Sequence, residues 1–425
     1  MIEKKINIGL LGLGTVGSSV VKILSEKKAE YKNSYGFEFN IKKILVKRIN
    51  AKKKVSVSQS LLTTNPDSIL NDPEIDTIIE VIGGLSPAKD IILKAIKNKK
   101  NVITGNKYLL TLYGDKIIKE ARKNNCYLGV RAAITGSYQI LSQIYYGGSV
   151  KSVIGVFNGT CNFILTEMEK SNKDFFEILE QAKQLGYAEN DPSMDIDAID
   201  TAHKVIIISR LLFGLNIKLK DFYVEGIRNI DIQDIQFSKE LGYRIKLLGI
   251  MKRESNNIDI RVHPSLVPIN KSLALLKGAE NGIQIDDELR GPGGLYAEGA
   301  GGDPTASAII TDLMGIASGS PIPWPKQVSK LLIKRIKSIS CKYYIRFNAI
   351  NKPGVLAHIS SILGKLNINI NKVIQKGEKL DTVVPVIIIT GEAEEKNVQK
   401  AIKLIDKLKV TKGKTKIIRI EENVF

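Results

Sequence analysis

The sequence predicts an α/β protein in three parts. A doubly wound parallel sheet of the Rossmann type comes first, then an α+β domain, then a ferredoxin-like βαββαβ domain. Three observations predict it. The pattern Gly12-x-Gly14-x-x-Gly17 stands between an apolar strand and a helix. From about residue 150, strands follow one another with fewer helices between them. Three prolines among small and polar residues in GSPIPWPKQVSK (319–330) mark a linker, and the chain beyond it alternates strand and helix as βαββαβ.

Taken in order, residues 5–11 (KINIGLL) read as a strand and about Thr15 to Lys28 as a helix. Strands at Ile41–Val46, Ile75–Ile82 and Asn101–Thr104 alternate with helices at about Pro87–Lys97 and beyond Lys107, the rhythm of a parallel sheet, here placed at 1–135. Val150–Phe157, Phe222–Ile230, Arg244–Lys252 and Ile258–Val267 read as strands of a mixed or antiparallel sheet carrying helices from 160–215, in a domain at 136–320. Gly291–Gly302 holds six glycines and leads through Asp303-Pro304 into a helix. A linker at 321–340 precedes the last domain, 341–425. Its strands are expected at 342–349, 368–375, 382–390 and 414–420, and its helices at 354–366 and 393–408.

Length and composition narrow the class. A chain of 425 residues, 43% hydrophobic and 25% charged, suits a soluble protein of two to four domains. It has no run of about 18 apolar residues that would cross a membrane. The N-terminal MIEKKINIGLLGLG reads as a strand entering a loop rather than a signal peptide. Cys126, Cys161 and Cys341 are odd in number and far apart, which argues against a disulfide framework or structural zinc and for a reducing cytoplasm. The net charge of +19 comes from dispersed lysines, with only short clusters such as Lys52-Lys53-Lys54 and no interleaved aromatics. Neither nucleic acid nor a membrane is therefore the expected partner; the charge can draw in an acidic substrate and a phosphorylated cofactor.

The glycine pattern has a physical division of labour. Gly12 allows a tight turn, Gly14 leaves room for a pyrophosphate and Gly17 allows helix and strand to pack closely. Phosphates then meet the helix N-terminus at Leu13, Thr15 and Val16. Lys47 and Arg48 follow the second strand, where an NAD protein usually carries an acid; they suit the 2′-phosphate of NADP, with NAD as the alternative, or are solvated loop residues. Glu80-Val-Ile-Gly83-Gly84 and Thr104-Gly-Asn106-Lys107 end successive strands, where open sheets bind ligands. Lys107 either contacts ligand there or is an exposed first-turn lysine. Asn158-Gly159-Thr160 opens a helix after a strand; it offers small donors to a carboxylate or amide, or is a plain turn and cap. His203, His263 and His358 adjoin no suitable serine or cysteine, which excludes a hydrolase triad.

The densest signal is Gly186–Lys204. Five acids, Glu189, Asp191, Asp195, Asp197 and Asp200, fall within twelve residues, and Lys204 follows Asp200 by four on a helix expected from Ile196 to Phe213. This is either a pocket for an amino-acid ammonium or a solvated helix start with an ordinary ion pair.

Together GLGTVG, EVIGG, TGNK, FNGTCNFIL, LGYAENDPSMDIDAIDTAHK and GAGGDPTASA, in this order, resemble the successive signatures of homoserine dehydrogenase, and YIRFNAINKPGVLAHISSILGKLNINI resembles an ACT domain. The resemblance implies NAD(P)-dependent interconversion of L-aspartate 4-semialdehyde and L-homoserine. It implies Lys204 as proton donor, Asp200 orienting it, Glu189 and Asp195 holding the substrate ammonium, and Lys107 beside nicotinamide and substrate. Gly299 to Gly301 would close over the cofactor. Arg131, in RAAITGSYQ, stands where the family has a glutamate that helps hold a monovalent cation, which puts that cation in doubt. Asn351 replaces the family's aspartate before Lys352-Pro353-Gly354, which bears on threonine as effector. Two other classes stay open: an ACT-bearing hydroxy-acid dehydrogenase, and a catalytically silent sensor of the same fold. An exposed sheet edge in the last domain favours homodimers or homotetramers.

Overall fold

The computed structural model describes residues 4–52, 54–134, 149–298, 301–321, 324–325, 329–377 and 379–425. Its first sheet is wholly parallel. Strands β1 (Lys4–Leu11), β2 (Phe37–Leu45), β3 (Leu62–Thr63), β4 (Thr77–Glu80), β5 (Asn101–Thr104) and β6 (Leu128–Gly129) lie in the order β3-β2-β1-β4-β5-β6. Helices α1 (Thr15–Glu26), α2 (Lys28–Tyr35), α3 (Ala88–Lys97) and α4 (Lys107–Lys123) connect them. Such a sheet is covered on both faces, so β4 (TIIE) is buried at every residue. The strand order reverses at β1, and this switch point is where Gly12–Gly17 lies.

β3 and β6 are short strands that were not expected, and β2 begins at Phe37 rather than Ile41; two further departures have a plain cause. Helix α2 is absent from the sequence reading because KAEYKNSY is polar and buries only Tyr31. β4 stops at Glu80 rather than Ile82. The Glu80 carboxylate accepts the amides of Ile82 (3.0 Å) and Gly83 (3.1 Å) and turns the chain off the sheet.

The second sheet runs β12-β11-β7-β9-β10-β18-β14-β16-β15. Its members are β7 (Val150–Val156), β9 (Tyr243–Glu254), β10 (Asn257–Pro268), β11 (Glu280–Asp287), β12 (Gly291–Glu298), β14 (Ser340–Ile350), β15 (Ile370–Gln375), β16 (Val383–Thr390) and β18 (Thr411–Ile420); short β8 (Tyr223–Val224), β13 (Leu332–Ile333) and β17 (Ala393–Glu394) pair at its side. Helices α5 (Gly159–Ser171), α6 (Phe175–Gln184), α7 (Ile199–Phe213) and α8 (Ile232–Glu240) belong to its first half. Every residue of α7 from Asp200 to Leu211 is buried, which fits a helix apolar on nearly all sides. Helix α9 (Gly302–Ser318) returns to the first sheet, where Ala306, Ile309 and Leu313 join Ile8, Leu10 and Val20 in one core.

The long strand expected at Phe222–Ile230 is only Tyr223–Val224. Gly226 presses on the turn at Ile196, where a Cβ would lie 2.1 Å from the Ile196 carbonyl oxygen, and Ile227 N donates to that oxygen at 2.8 Å. Conversely, Gly291–Glu298 is not merely a glycine-rich loop: it is a strand paired with β11 from Glu280↔Glu298 to Asp287↔Gly291.

In the last part, helices α10 (Val355–Lys365) and α11 (Glu395–Ile405) and the order β18-β14-β16-β15 make the ferredoxin-like arrangement. Its sheet is continuous with that of the middle part, through β18 pairing with β10 at Ser265↔Arg419 and Leu266↔Ile420. Buried ion pairs reinforce this seam: Arg261 with Glu421 (3.2 Å) and Arg346 with Asp234 (2.6 Å). One edge expected to serve pairing between chains is thus taken up within the chain. Among the described residues no helix is long and apolar enough to cross a membrane.

Candidate active site

The dinucleotide loop sorts its glycines by what surrounds them. Gly12 has φ +105°, and a Cβ there would lie 2.9 Å from the Val81 carbonyl oxygen; a Cβ on Gly17 would lie 2.1 Å from that of Gly12. Both are required by backbone and packing. At Gly14 nothing lies within 4 Å of the Cβ position, leaving a cradle open beside the N-terminus of α1. That is the space a pyrophosphate needs, and the residues present fit a dinucleotide.

The loop borders two clefts. One, of about 850 Å³, is lined by Gly12, Leu13, Gly14, Val46, Lys47 and Arg48 among others. The second, of about 650 Å³, begins at Thr15 and Val16 and includes Lys107, Asn158, Asp195 and Lys204. Gly301, at the start of α9, lines the second cleft; Gly299 lies outside the described residues.

At the floor of the second cleft Asp200 is shared by two lysines. Lys204 Nζ lies 2.9 Å from its Oδ2, and Lys107 Nζ donates to its Oδ1. Lys204 also donates to the Phe157 backbone carbonyl. The i,i+4 spacing on α7 brings the first pair together, and α4 delivers Lys107 from the other sheet. Burial pushes the Lys204 ammonium below its ordinary pKa, against the pull of Asp200. Burial alone would raise the Asp200 carboxyl, but Lys204 and Lys107 outweigh it and hold Asp200 well below the usual carboxylate range.

Asn158 ties the acids together. Its Oδ1 caps α5 by accepting from Cys161 N at 2.8 Å, and its Nδ2 donates to Asp195 (2.6 Å) and Asp200 (3.1 Å). Burial raises the Asp195 carboxyl, and the Asn158 bond opposes it. Gly159 packs on the Ala279 carbonyl, where a Cβ would come within 2.7 Å, and the Thr160 hydroxyl donates to Tyr187 O at 2.7 Å. Glu189 lies exposed on the cleft wall. The other two acids of the block face elsewhere: Asp191 accepts from Ser193 N at 3.1 Å, and Asp197 pairs with Arg228. His203 packs beside Tyr108, ring centroids 5.8 Å apart.

Glu80, buried, accepts from Thr104 Oγ1 at 2.5 Å besides its two loop amides, and Asn106 Nδ2 donates to Gly84 O at 2.6 Å. Both motifs at these strand ends therefore hold loops. Arg131 is buried, and its guanidinium donates to Asp312, which also accepts from Tyr127 OH at 2.7 Å and from Arg131 N at 3.1 Å. Its charge is thus matched by a carboxylate on α9. Among the described residues, no group of three or more His, Cys, Asp or Glu is placed to hold a metal ion.

Sequence reasoning missed three participants. The Phe157 carbonyl is a backbone group and leaves no trace in composition. Asn281, on β11, borders the cleft and donates to that same carbonyl at 3.3 Å. Lys246, on β9 behind the cleft, is 3% exposed and donates to Asn162 Oδ1 at 2.7 Å and to Leu276 O. Burial, with Arg244 nearby, pushes its ammonium down to about 7.

Comparisons with known proteins bear on all three parts of the chain. Residues 12–131 match the NAD-binding domain of homoserine dehydrogenase, 138–314 the homoserine dehydrogenase family, and 343–403 the ACT domain. The homoserine dehydrogenase of Neisseria gonorrhoeae is 36% identical over 98% of this chain and 99% of its own, and that of Bacillus subtilis 34% over 99% of each. A crystal structure of a homoserine dehydrogenase from Thiobacillus denitrificans superposes with a TM-score of 0.90, at 36% identity and 99% coverage of both chains. That of S. aureus homoserine dehydrogenase at pH 7.5 gives 0.78 at 31% identity, covering 99% of this chain and all of its own. A Rossmann sheet with an open phosphate cradle, a second domain presenting a buried Asp–Lys pair to it, and relatives alike over nearly their whole length place the chain in the homoserine dehydrogenase family, with a C-terminal ACT domain.

Proposed function

We propose that this oxidoreductase works through Lys204, which protonates the aldehyde oxygen of L-aspartate 4-semialdehyde as L-homoserine forms and recovers that proton in reverse. The observation that carries the reading is the position of Lys204: buried, gripped by Asp200 and the Phe157 carbonyl, and open to the cleft that the dinucleotide loop borders. When bound, the dinucleotide supplies a hydride to the aldehyde carbon. The carbonyl π pair then becomes a lone pair on oxygen, and the Lys204 ammonium gives that oxygen a proton and is left as a neutral amine. Its lowered pKa makes release less costly, and such general acid catalysis is worth about 10²–10⁴-fold.

Asp200 stays ionised throughout and aims Lys204. Lys107, half-exposed on the far oxygen of Asp200, fixes that carboxylate and faces both cofactor and substrate. Glu189 and Asp195 take the substrate ammonium, with Asn158, Gly159 and Thr160 shaping the wall against which it sits.

Lys47 and Arg48 in the larger cleft favour NADP over NAD, since two cations suit a 2′-phosphate. The Arg131 side chain carries no oxygen to offer a monovalent cation, and we read the family's cation site as altered at this position. In the ACT domain Asn351 accepts from Gln375 Nε2 at 2.8 Å and donates to Gly377 O (3.4 Å) and Lys379 O (3.3 Å), bonds an aspartate could not donate. We infer an amino-acid effector site there whose response to threonine differs from the family's. Free, scattered cysteines fit a cytoplasmic setting, and assembly is taken to be a homodimer or homotetramer. The test is reduction of aspartate semialdehyde with NADPH and with NADH, each with and without threonine. Turnover favouring NADPH supports the reading; no turnover with either refutes it.

A further inference from the structure

Asn281 is the group in this site whose presence packing does not explain. Pairing of Gly282 with Val156 sets it beside Phe157, at the end of β7. It is 1% exposed and borders the cleft. Its Nδ2 donates to the Phe157 carbonyl at 3.3 Å, the carbonyl on which the Lys204 ammonium rests. Its Oδ1 is buried and has no hydrogen-bond partner among the described residues. Leaving such an oxygen unpaired is a cost that an apolar residue of similar size would avoid.

The segment carrying Asn281 is fixed from behind. Lys246 grips Asn162 and the Leu276 carbonyl, and Asn162 Nδ2 donates to the carbonyls of Gly278 (2.9 Å) and Glu280 (3.1 Å). The amide of Asn281 is thereby held at the Phe157 carbonyl by bonds on both sides of the chain.

We propose that Asn281 is a positioning residue for Lys204: by sharing the Phe157 carbonyl it fixes the direction of that oxygen and weakens its hold on the ammonium, easing release of the proton toward the cleft. The inference rests on the acid–base role proposed for Lys204. An N–H donor draws electron density from a carbonyl oxygen, which is then a poorer acceptor for a second donor. The other charged or titratable groups facing Lys204 are Asp200 on its own helix, Lys107 from α4, Asp195 from the turn before α7, and the Cys161 thiol from α5. All are unchanged by substitution at 281.

The test is the pH profile of kcat/KM for homoserine oxidation in Asn281→Ala, a direction that needs Lys204 neutral. With the amide gone, the Phe157 carbonyl binds the ammonium more strongly, so the acidic limb moves up by about one unit. Below it the rate falls about tenfold, and it returns toward the parent value at high pH. A loss equal at all pH values, or no loss, overturns the inference. Should Asn281→Ala lack a cooperative thermal transition, the similarly sized Asn281→Leu takes its place. It removes the donor without adding charge and is expected to move the limb up in the same way; an unmoved limb overturns the inference equally. Lys204→Ala separates the two readings. If it still turns over, the acid–base reading falls; if it is inactive while the limb in the Asn281 variant stays put, only the present inference falls.

Discussion

Replacing Asp200 by asparagine keeps the volume of the site and removes the carboxylate that two lysines share. Lys204 lies 2.9 Å from Oδ2 and is 6% exposed at its side chain, so it has little water to turn to. With charge centres about 4 Å apart and an effective dielectric near 20, the attraction lost is about 4 kcal/mol, equal to about 3 pKa units. The amide oxygen of asparagine returns part of this as a neutral hydrogen bond, leaving a fall of about 1–3 units in the Lys204 pKa. Lys204 then gives up its proton at lower pH, and Lys107 faces the same site with no anion between them. At pH above the parent's basic limb, reduction of aspartate semialdehyde is expected to fall by about 10–10³-fold, because less of the enzyme carries the proton to be donated. Its basic limb moves down in pH, and so does the acidic limb of homoserine oxidation. The assay is kcat/KM in both directions across pH, with dinucleotide binding as the control for folding. Limbs within a few tenths of a unit of the parent, at near-normal rate, would refute the claim that Asp200 sets the proton affinity of Lys204.

Three further outcomes follow from the same structure. Glu189→Ala should raise the KM for homoserine by about tenfold or more with a smaller effect on kcat, since uniform binding is lost; an unchanged KM would place the ammonium elsewhere. Exchanging Lys47 and Arg48 for alanine should weaken NADPH about 10–100-fold more than NADH in steady-state assays, and equal losses would contradict the preference. Lys246, held near 7 when folded, binds its proton more weakly than in the unfolded chain, where its ordinary value is 10.5. Between about pH 7 and 10 the unfolded state therefore binds more protons, and stability from this group rises with pH. Lys246→Met should flatten that rise in Tm measured from pH 7 to 9.5, and an unaltered slope would contradict it.

How much of this was legible along the chain depends on the range of each contact. Gly12–Gly17 and the block from Glu189 to Lys204 are local, and their spacing already aligned Asp200 with Lys204 and separated Gly14 from the two packing glycines. The division of the five acids into those facing the cleft and those facing Arg228 or their own turn was implied only by the family resemblance; its cause needed the fold, because Asn158, 37 residues from Asp195, holds Asp195 and Asp200 at the cleft. Asn281 and Lys246 carry no periodic signal. They reach the site only because β11 pairs with β7 and β9 lies on the other side of β7. The reach of Arg131 to Asp312 spans 181 residues, and nothing near either residue announces it. The seam between β10 and β18 was hidden in the same way: the ferredoxin-like pattern is local, whereas its fusion to the catalytic sheet rests on two residue pairs across more than a hundred positions.

The central claim is that Lys204 carries the proton of the reaction. A single-turnover measurement of aspartate semialdehyde reduction by Lys204→Ala, saturated with NADPH, tests it most directly. The account predicts NADPH binding close to that of the parent enzyme and a hydride-transfer rate lower by about 10²–10⁴-fold. Transfer at a rate near that of the parent, with cofactor bound normally, would contradict it.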